Sequence, residues 1–129
     1  MSPDEIRIVD SAALAAPRGA YSHVVRVGDT VYTSGFGPFT AEGPIPEGIV
    51  AQTEQALDNV ETALAEFGLS LADVVKTTLL VQHLDRDFAG CNEVWARRFG
   101  TPFPVRTIMG VDLPGVLVAV DAMAVRRDA

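Results

Sequence analysis

The segment Val116–Val125 is apolar on both of its faces, and this is the feature that most constrains the fold. Val116, Val118, Val120, Ala122 and Ala124 alternate one way, and Leu117, Ala119, Met123 and Val125 the other, with Asp121 among them. A strand of this kind has to be covered on both sides. Phe103–Val111 also reads as a strand and carries the second charge of the region, Arg106. Asp112-Leu113-Pro114-Gly115 between the two is rich in turn formers, so a C-terminal hairpin is expected. With Val111 facing Val116, the register sets Arg106 opposite Asp121, with Cβ atoms about 4.5–5.5 Å apart. An unpaired carboxylate buried in so apolar a run would cost several kcal/mol. Replacing a buried ion pair by apolar residues is often neutral or stabilising, so stability is a weak reason to keep one. Two readings stay open: a structural ion pair, or a polar site in which Arg106 grips a carboxylate and Asp121 handles a water or proton.

The rest of the chain supplies the other layers. Arg7-Ile8-Val9 reads as a short strand. Tyr21–Val27 and Thr30–Ser34 form a hairpin about Gly28-Asp29. Residues 35–48 hold four glycines and three prolines, which makes them an irregular loop. From Ile49 to Phe67 the apolar residues Val50, Leu57, Val60, Leu64 and Phe67 recur at helical spacing, and Gly68 is placed to end the helix. Val74–Leu84 reads as a strand broken by Asp85-Arg86-Asp87. A second helix is expected from about Phe88 to Phe99, with Phe88, Cys91, Trp95 and Phe99 on its inner side. Two helices cover only one face of the sheet, so the other face needs a partner and a homo-oligomer is expected.

Composition narrows the function. At 129 residues the chain is expected to be a single domain, residues 1–129. Its net charge of -7, with no basic cluster beyond two short Arg pairs, argues against nucleic acid as a partner. There is no apolar run long enough to span a membrane, and Met1–Glu5 lacks a signal-peptide pattern. The single cysteine excludes an internal disulfide and fits a reducing cytoplasm. Two distant histidines and no second cysteine make a metal site unexpected. Gly35-Phe36-Gly37 lacks the third glycine of a dinucleotide fingerprint. His23 and His83 read as exposed or satisfied histidines, Cys91 as a buried thiol and Ser34 as a strand-end serine. Tyr21 reads either as a residue that reaches a cleft or as an amphipathic edge tyrosine. Asn92, a mediocre helix former on the second helix, suggests a side-chain hydrogen-bonding task.

Taken together, several segments resemble the Rid/YjgF family of reactive-intermediate deaminases: Gly19-Ala20-Tyr21, Val31-Tyr32-Thr33-Ser34-Gly35, Gln55–Val60, Asp73–Thr78, Phe88–Asn92, Phe103–Thr107 and Val120–Arg127. The resemblance implies a chorismate-mutase-like α+β fold, a mainly antiparallel sheet with two helices on one face. It also implies a homotrimer with active sites in the clefts between subunits. The implied activity is cofactor-independent hydrolysis of 2-imino or 2-enamino acids, small carboxylates, to 2-oxo acids and ammonia. Carried over, Arg106 binds the substrate carboxylate and Asp121 stands near the reacting carbon. Tyr21, Ser34, Gly35, Phe36, Asn92, Thr107 and Ile108 are the further pocket residues.

Three positions depart from the archetypal pattern of the family: Asp121 for glutamate, Ile108 for cysteine and Phe36 for glutamine. The last two make the pocket more apolar and favour a larger or flatter substrate. The segment Pro17–His23 is similar to pathway-specific relatives such as the aminomuconate deaminases. The alternative function is a non-catalytic module of the same fold that binds a carboxylate metabolite through Arg106. The acidic charge counts against a third, RNA-directed role.

Overall fold

The computed structural model describes residues 5–127; Met1–Asp4, most of the segment read for a signal peptide, lie outside the described residues. The elements are β1 (Ile6–Val9), β2 (Val24–Val27), β3 (Thr30–Thr33), α1 (Ile49–Ala65), β4 (Val74–Val81), α2 (Leu84–Arg98), β5 (Val105–Gly110) and β6 (Val118–Val125). The six strands form one sheet in the order β1-β2-β3-β6-β4-β5. Every pairing is antiparallel except β4–β5, which is parallel. Both helices lie on one face, which gives the α+β class expected. Among the described residues no helix is long and apolar enough to cross a membrane.

The helical spacing of α1 buries Leu57, Val60 and Leu64 completely. Gly68, at φ +74°, makes the left-handed turn that lets the Leu69 N–H bond back to the Leu64 carbonyl at 3.1 Å. α2 starts a turn earlier than its apolar residues suggest. Asp85 and Asp87 do not break a strand but occupy the first turn of α2, where the partial positive charge of a helix N-terminus favours carboxylates. Gly90 lets α1 approach α2, since a Cβ there would stand 2.7 Å from Ile49 Cγ2.

β2 is shorter than expected and begins at Val24, so Tyr21 precedes it. The intervening chain is tied down by His23. The His23 N–H donates to Asp10 Oδ1 at 3.0 Å, Nδ1 accepts from Ser11 N at 3.0 Å and Nε2 lies 3.0 Å from the Ala15 carbonyl. With both ring nitrogens engaged and the ring 2% exposed, His23 is a satisfied core histidine.

The C-terminal hairpin does not form. β5 and β6 both flank β4 instead, because β4–α2–β5 is a parallel crossover unit and the chain after β5 passes over the end of β4. Val111 N donates to the Val81 carbonyl on one side, and Gln82 N to the Leu117 carbonyl on the other, each at 3.0 Å. The Gln82 side chain accepts the Leu113 N–H, pinning the connection. Arg106 is therefore level with Thr77 and, across β4, Ala122, while Asp121 is level with Thr78 and Thr107. Successive side chains alternate faces. Thr77 and Ala122 are buried beneath the helices, so Arg106 faces α2 and Asp121 faces the opposite, uncovered side. The opposition of Arg106 and Asp121 read from the sequence is thus corrected to opposite faces of the sheet.

Candidate functional site

Apart from Thr107, the expected site residues fall into two groups. The first gathers at the β5 edge. The Arg106 guanidinium donates to Asn92 Oδ1 at 3.0 Å and lies 5.9 Å from the ring centroids of both Phe88 and Trp95. Phe88, Asn92 and Trp95 follow at i, i+4 and i+7, so α2 offers them on one face. Ile108, on the same side of β5 as Arg106, packs against the core. No described acidic side chain forms an ion pair with Arg106, although the chain carries 17 Asp and Glu against 10 Lys and Arg. Arg26, Arg86, Arg97, Arg98 and Arg127 all have acidic partners. One guanidinium N–H is spent on Asn92, and the planar fork keeps others for a bidentate carboxylate. Beside it opens a cleft of about 420 Å³ lined by Asn92, Trp95, Ala96, Phe103, Pro104 and Arg106.

The second group lies where β3 loses contact with β6. The ladder stops at Tyr32–Met123 and resumes at Phe36–Val120, where Phe36 N donates to the Val120 carbonyl at 2.7 Å and Val120 N to the Phe36 carbonyl at 2.9 Å. Three residues, Thr33, Ser34 and Gly35, thus oppose two, Asp121 and Ala122, which makes a bulge. Thr33 Oγ1 accepts the Ala122 N–H at 3.0 Å inside it, and Ser34 Oγ donates to the Ser22 carbonyl at 2.5 Å. Nothing lies within 4 Å of a Cβ built on Gly35, so its backbone is open beside Asp121. Tyr21, His23, Gly35 and Phe36 line a small cavity of about 60 Å³. The Tyr21 hydroxyl accepts the Arg18 N–H at 3.0 Å, and the Arg18 guanidinium sits 4.1 Å above the Phe39 ring. Asn59, buried on α1, fixes this loop by donating to the carbonyls of Gly37 and Phe39 at 2.9 and 2.8 Å.

Between the groups run β6 and β4, so β3 and β5 are three strand spacings apart, roughly 14 Å. Thr107 stands apart from Arg106, on the uncovered face, where its Oγ1 accepts from Lys76 Nζ at 2.8 Å. Cys91 is fully buried against Thr53 Oγ1 at 3.7 Å, and burial pushes its thiol up, as an inert cysteine requires. Phe88 departs from expectation: it is 42% exposed beside the guanidinium rather than part of the core. The aromatic bracket of Phe88 and Trp95, the loop anchor Asn59 and the stacked Arg18 are what the sequence reading missed. The 88–92–95 spacing was the available signal for the bracket; nothing local marks the others.

Comparison with known proteins agrees with this architecture. The profile of the family described as Endoribonuclease L-PSP matches residues 11–126. A RutC family protein of Pyrococcus abyssi is 39% identical over 115 residues, covering 86% of this chain and 90% of its own. The 2-iminobutanoate/2-iminopropanoate deaminase of Escherichia coli is 37% identical over 115 residues, covering 84% and 89% respectively. The crystal structure of RidA from an Antarctic Psychrobacter has a TM-score of 0.87 at 34% identity, over 93% of this chain and 99% of that one. With the family profile spanning nearly its whole length and both the sequence and the fold shared with such relatives, this chain belongs to the Endoribonuclease L-PSP, or Rid/YjgF, family.

Proposed function

We propose that the protein hydrolyses 2-imino or 2-enamino acids to 2-oxo acids and ammonia, in sites completed between copies of the chain. The observation that carries this reading is Arg106, held by one amide and two rings yet paired with no described acidic group. A carboxylate held there in a bidentate fork sets the neighbouring imine carbon in a fixed place, and such positioning is itself a large catalytic contribution. Asp121 accepts a proton from water as the oxygen attacks that carbon, and the C=N electron pair passes to nitrogen, which takes that proton from Asp121. Asp121 then passes the hydroxyl proton of the tetrahedral adduct to its amine, the C=O bond forms as the C–N bond breaks, and ammonia leaves the 2-oxo acid. Relatives named as imine deaminases support the reaction class.

Two features support the assembly. Ile6, Ile8, Val27, Tyr32, Val105 and Met109 leave large apolar surface on the uncovered face of the sheet. In addition, Arg106 and Asp121 lie on opposite faces, so a second copy has to bring one to the other. A homotrimer with its sheets turned inward satisfies both requirements.

The test generates imines in situ with an amino-acid oxidase and follows the surviving imine by semicarbazide trapping. Wild-type protein should clear the imine, and Arg106→Ala should lower kcat/KM by at least about a hundredfold, as expected for a lost charge-assisted fork. Equal clearance by Arg106→Ala would overturn the reading. Carboxylate binding without turnover would favour a metabolite-binding module.

A further inference from the structure

We propose that the cleft bounded by Trp95, Ala96, Phe103 and Pro104 receives the ligand's side chain and selects carboxylates bearing a bulky apolar group. This rests on the reading that Arg106 takes the carboxylate.

The cleft's 420 Å³ falls within the range of small-molecule sites, and Arg106 is part of its lining. A carboxylate on the guanidinium therefore has its attached carbon chain at the cleft. Four of the six lining residues, Trp95, Ala96, Phe103 and Pro104, have mainly hydrocarbon side chains: Trp95 is 3% exposed and backed by Phe99, the ring centroids lying 5.4 Å apart, while Phe103 is left half exposed. A rigid indole on one side and an uncovered phenyl on the other gain by closing on hydrocarbon. The amide and the one cation that line the cleft, Asn92 and Arg106, are bonded to each other. An acidic tail therefore finds no second cation in this wall and would lose hydration without a charged partner. Chain length alone does not satisfy the site; the tail has to be apolar.

The chain has one tryptophan, and it forms this wall, so intrinsic fluorescence reports occupancy. Wild-type protein is titrated with pyruvate, 4-methyl-2-oxopentanoate and 2-oxoglutarate, stable 2-oxo acids that differ in their tails. The branched acid should bind at least about tenfold tighter than either of the others. Ala96 is exposed on α2, so Ala96→Phe fills the cleft without entering the core and should bring the three affinities close to equality. A thermal melt confirms that the variant is folded. Equal affinities in wild type, or a tenfold preference that survives Ala96→Phe, would overturn the proposal while leaving the role of Arg106 intact. An Arg106→Ala protein that binds all three acids as wild type does would instead remove the reading beneath it, as would wild type that none of the acids saturates.

Discussion

A guanidinium presents five N–H groups in a fixed plane, so its neighbours act by fixing where that plane points. Around Arg106 the work falls to Asn92, Phe88 and Trp95, while two buried polar atoms of the same region take no part. Thr77 Oγ1 and Trp95 Nε1 have no hydrogen-bond partner among the described residues, although Thr77 is completely buried and level with Arg106 in the ladder. A buried hydroxyl without a partner retains its desolvation cost and gains nothing in return. Thr77→Val keeps the shape and β-branching and removes the hydroxyl. We therefore expect it to leave stability unchanged or raise it by up to about 1 kcal/mol, against the loss typical of core substitutions. Chemical denaturation with an unchanged m-value measures this. A loss above about 1 kcal/mol would mean that the hydroxyl is paired and serves the site.

At the scale of elements, period was legible and partnership was not. The 3.6-residue spacing of Leu57, Val60 and Leu64, and the alternation of Val118, Val120, Ala122 and Ala124, follow from which side each residue must bury. Nothing local distinguishes a hairpin from two strands that clasp a third. The turn formers of residues 112–115 suit either connection, and β4, the strand between, comes earlier in the chain. The error in register therefore carried Arg106 and Asp121 to the same face. The candidate residues themselves were legible because charge in an apolar strand needs an explanation, whereas Asn59 and Arg18 act through loop contacts that no periodicity announces.

Contacts between helices also account for the charges on them. Arg98 reaches Glu54 Oε1 at 2.7 Å and Asp58 Oδ1 at 2.9 Å, and Arg97 also pairs with Glu54. Partial burial pushes the Glu54 carboxyl up, but hydrogen bonds and charge from Arg97 and Arg98 outweigh it and hold the group below its ordinary value. A depressed carboxylate contributes stability that is present above its unfolded pKa, about 4.3, and lost as pH falls through the lower folded value. The pair is solvent-accessible, so the contribution is on the order of 0.5–1 kcal/mol. Glu54→Gln should show that deficit at pH 7 and converge on wild type as the pH drops below about 4. Urea unfolding at the two pH values checks it, and a deficit independent of pH would assign Glu54 a packing role instead.

For the whole molecule, the question is whether one copy suffices. In a single chain the carboxylate grip faces α2 at the sheet edge, and the acidic group faces away from both helices beside the Ser34–Gly35 bulge. The two sides of a sheet do not meet without a second sheet. If each site joins Arg106 of one copy to Asp121 of another, Arg106→Ala and Asp121→Ala proteins are each inactive alone, but a mixed assembly contains some intact sites. Random mixing of equal amounts in a closed ring leaves both residues wild type at about one quarter of the sites. The measurement is imine clearance after co-refolding the two variants, with mass by analytical ultracentrifugation expected near three times 13.7 kDa. Recovery to about a quarter of wild-type turnover is the outcome expected of a ring with shared sites. If both residues came from one chain, every site in the mixture would carry one substitution and no activity would return.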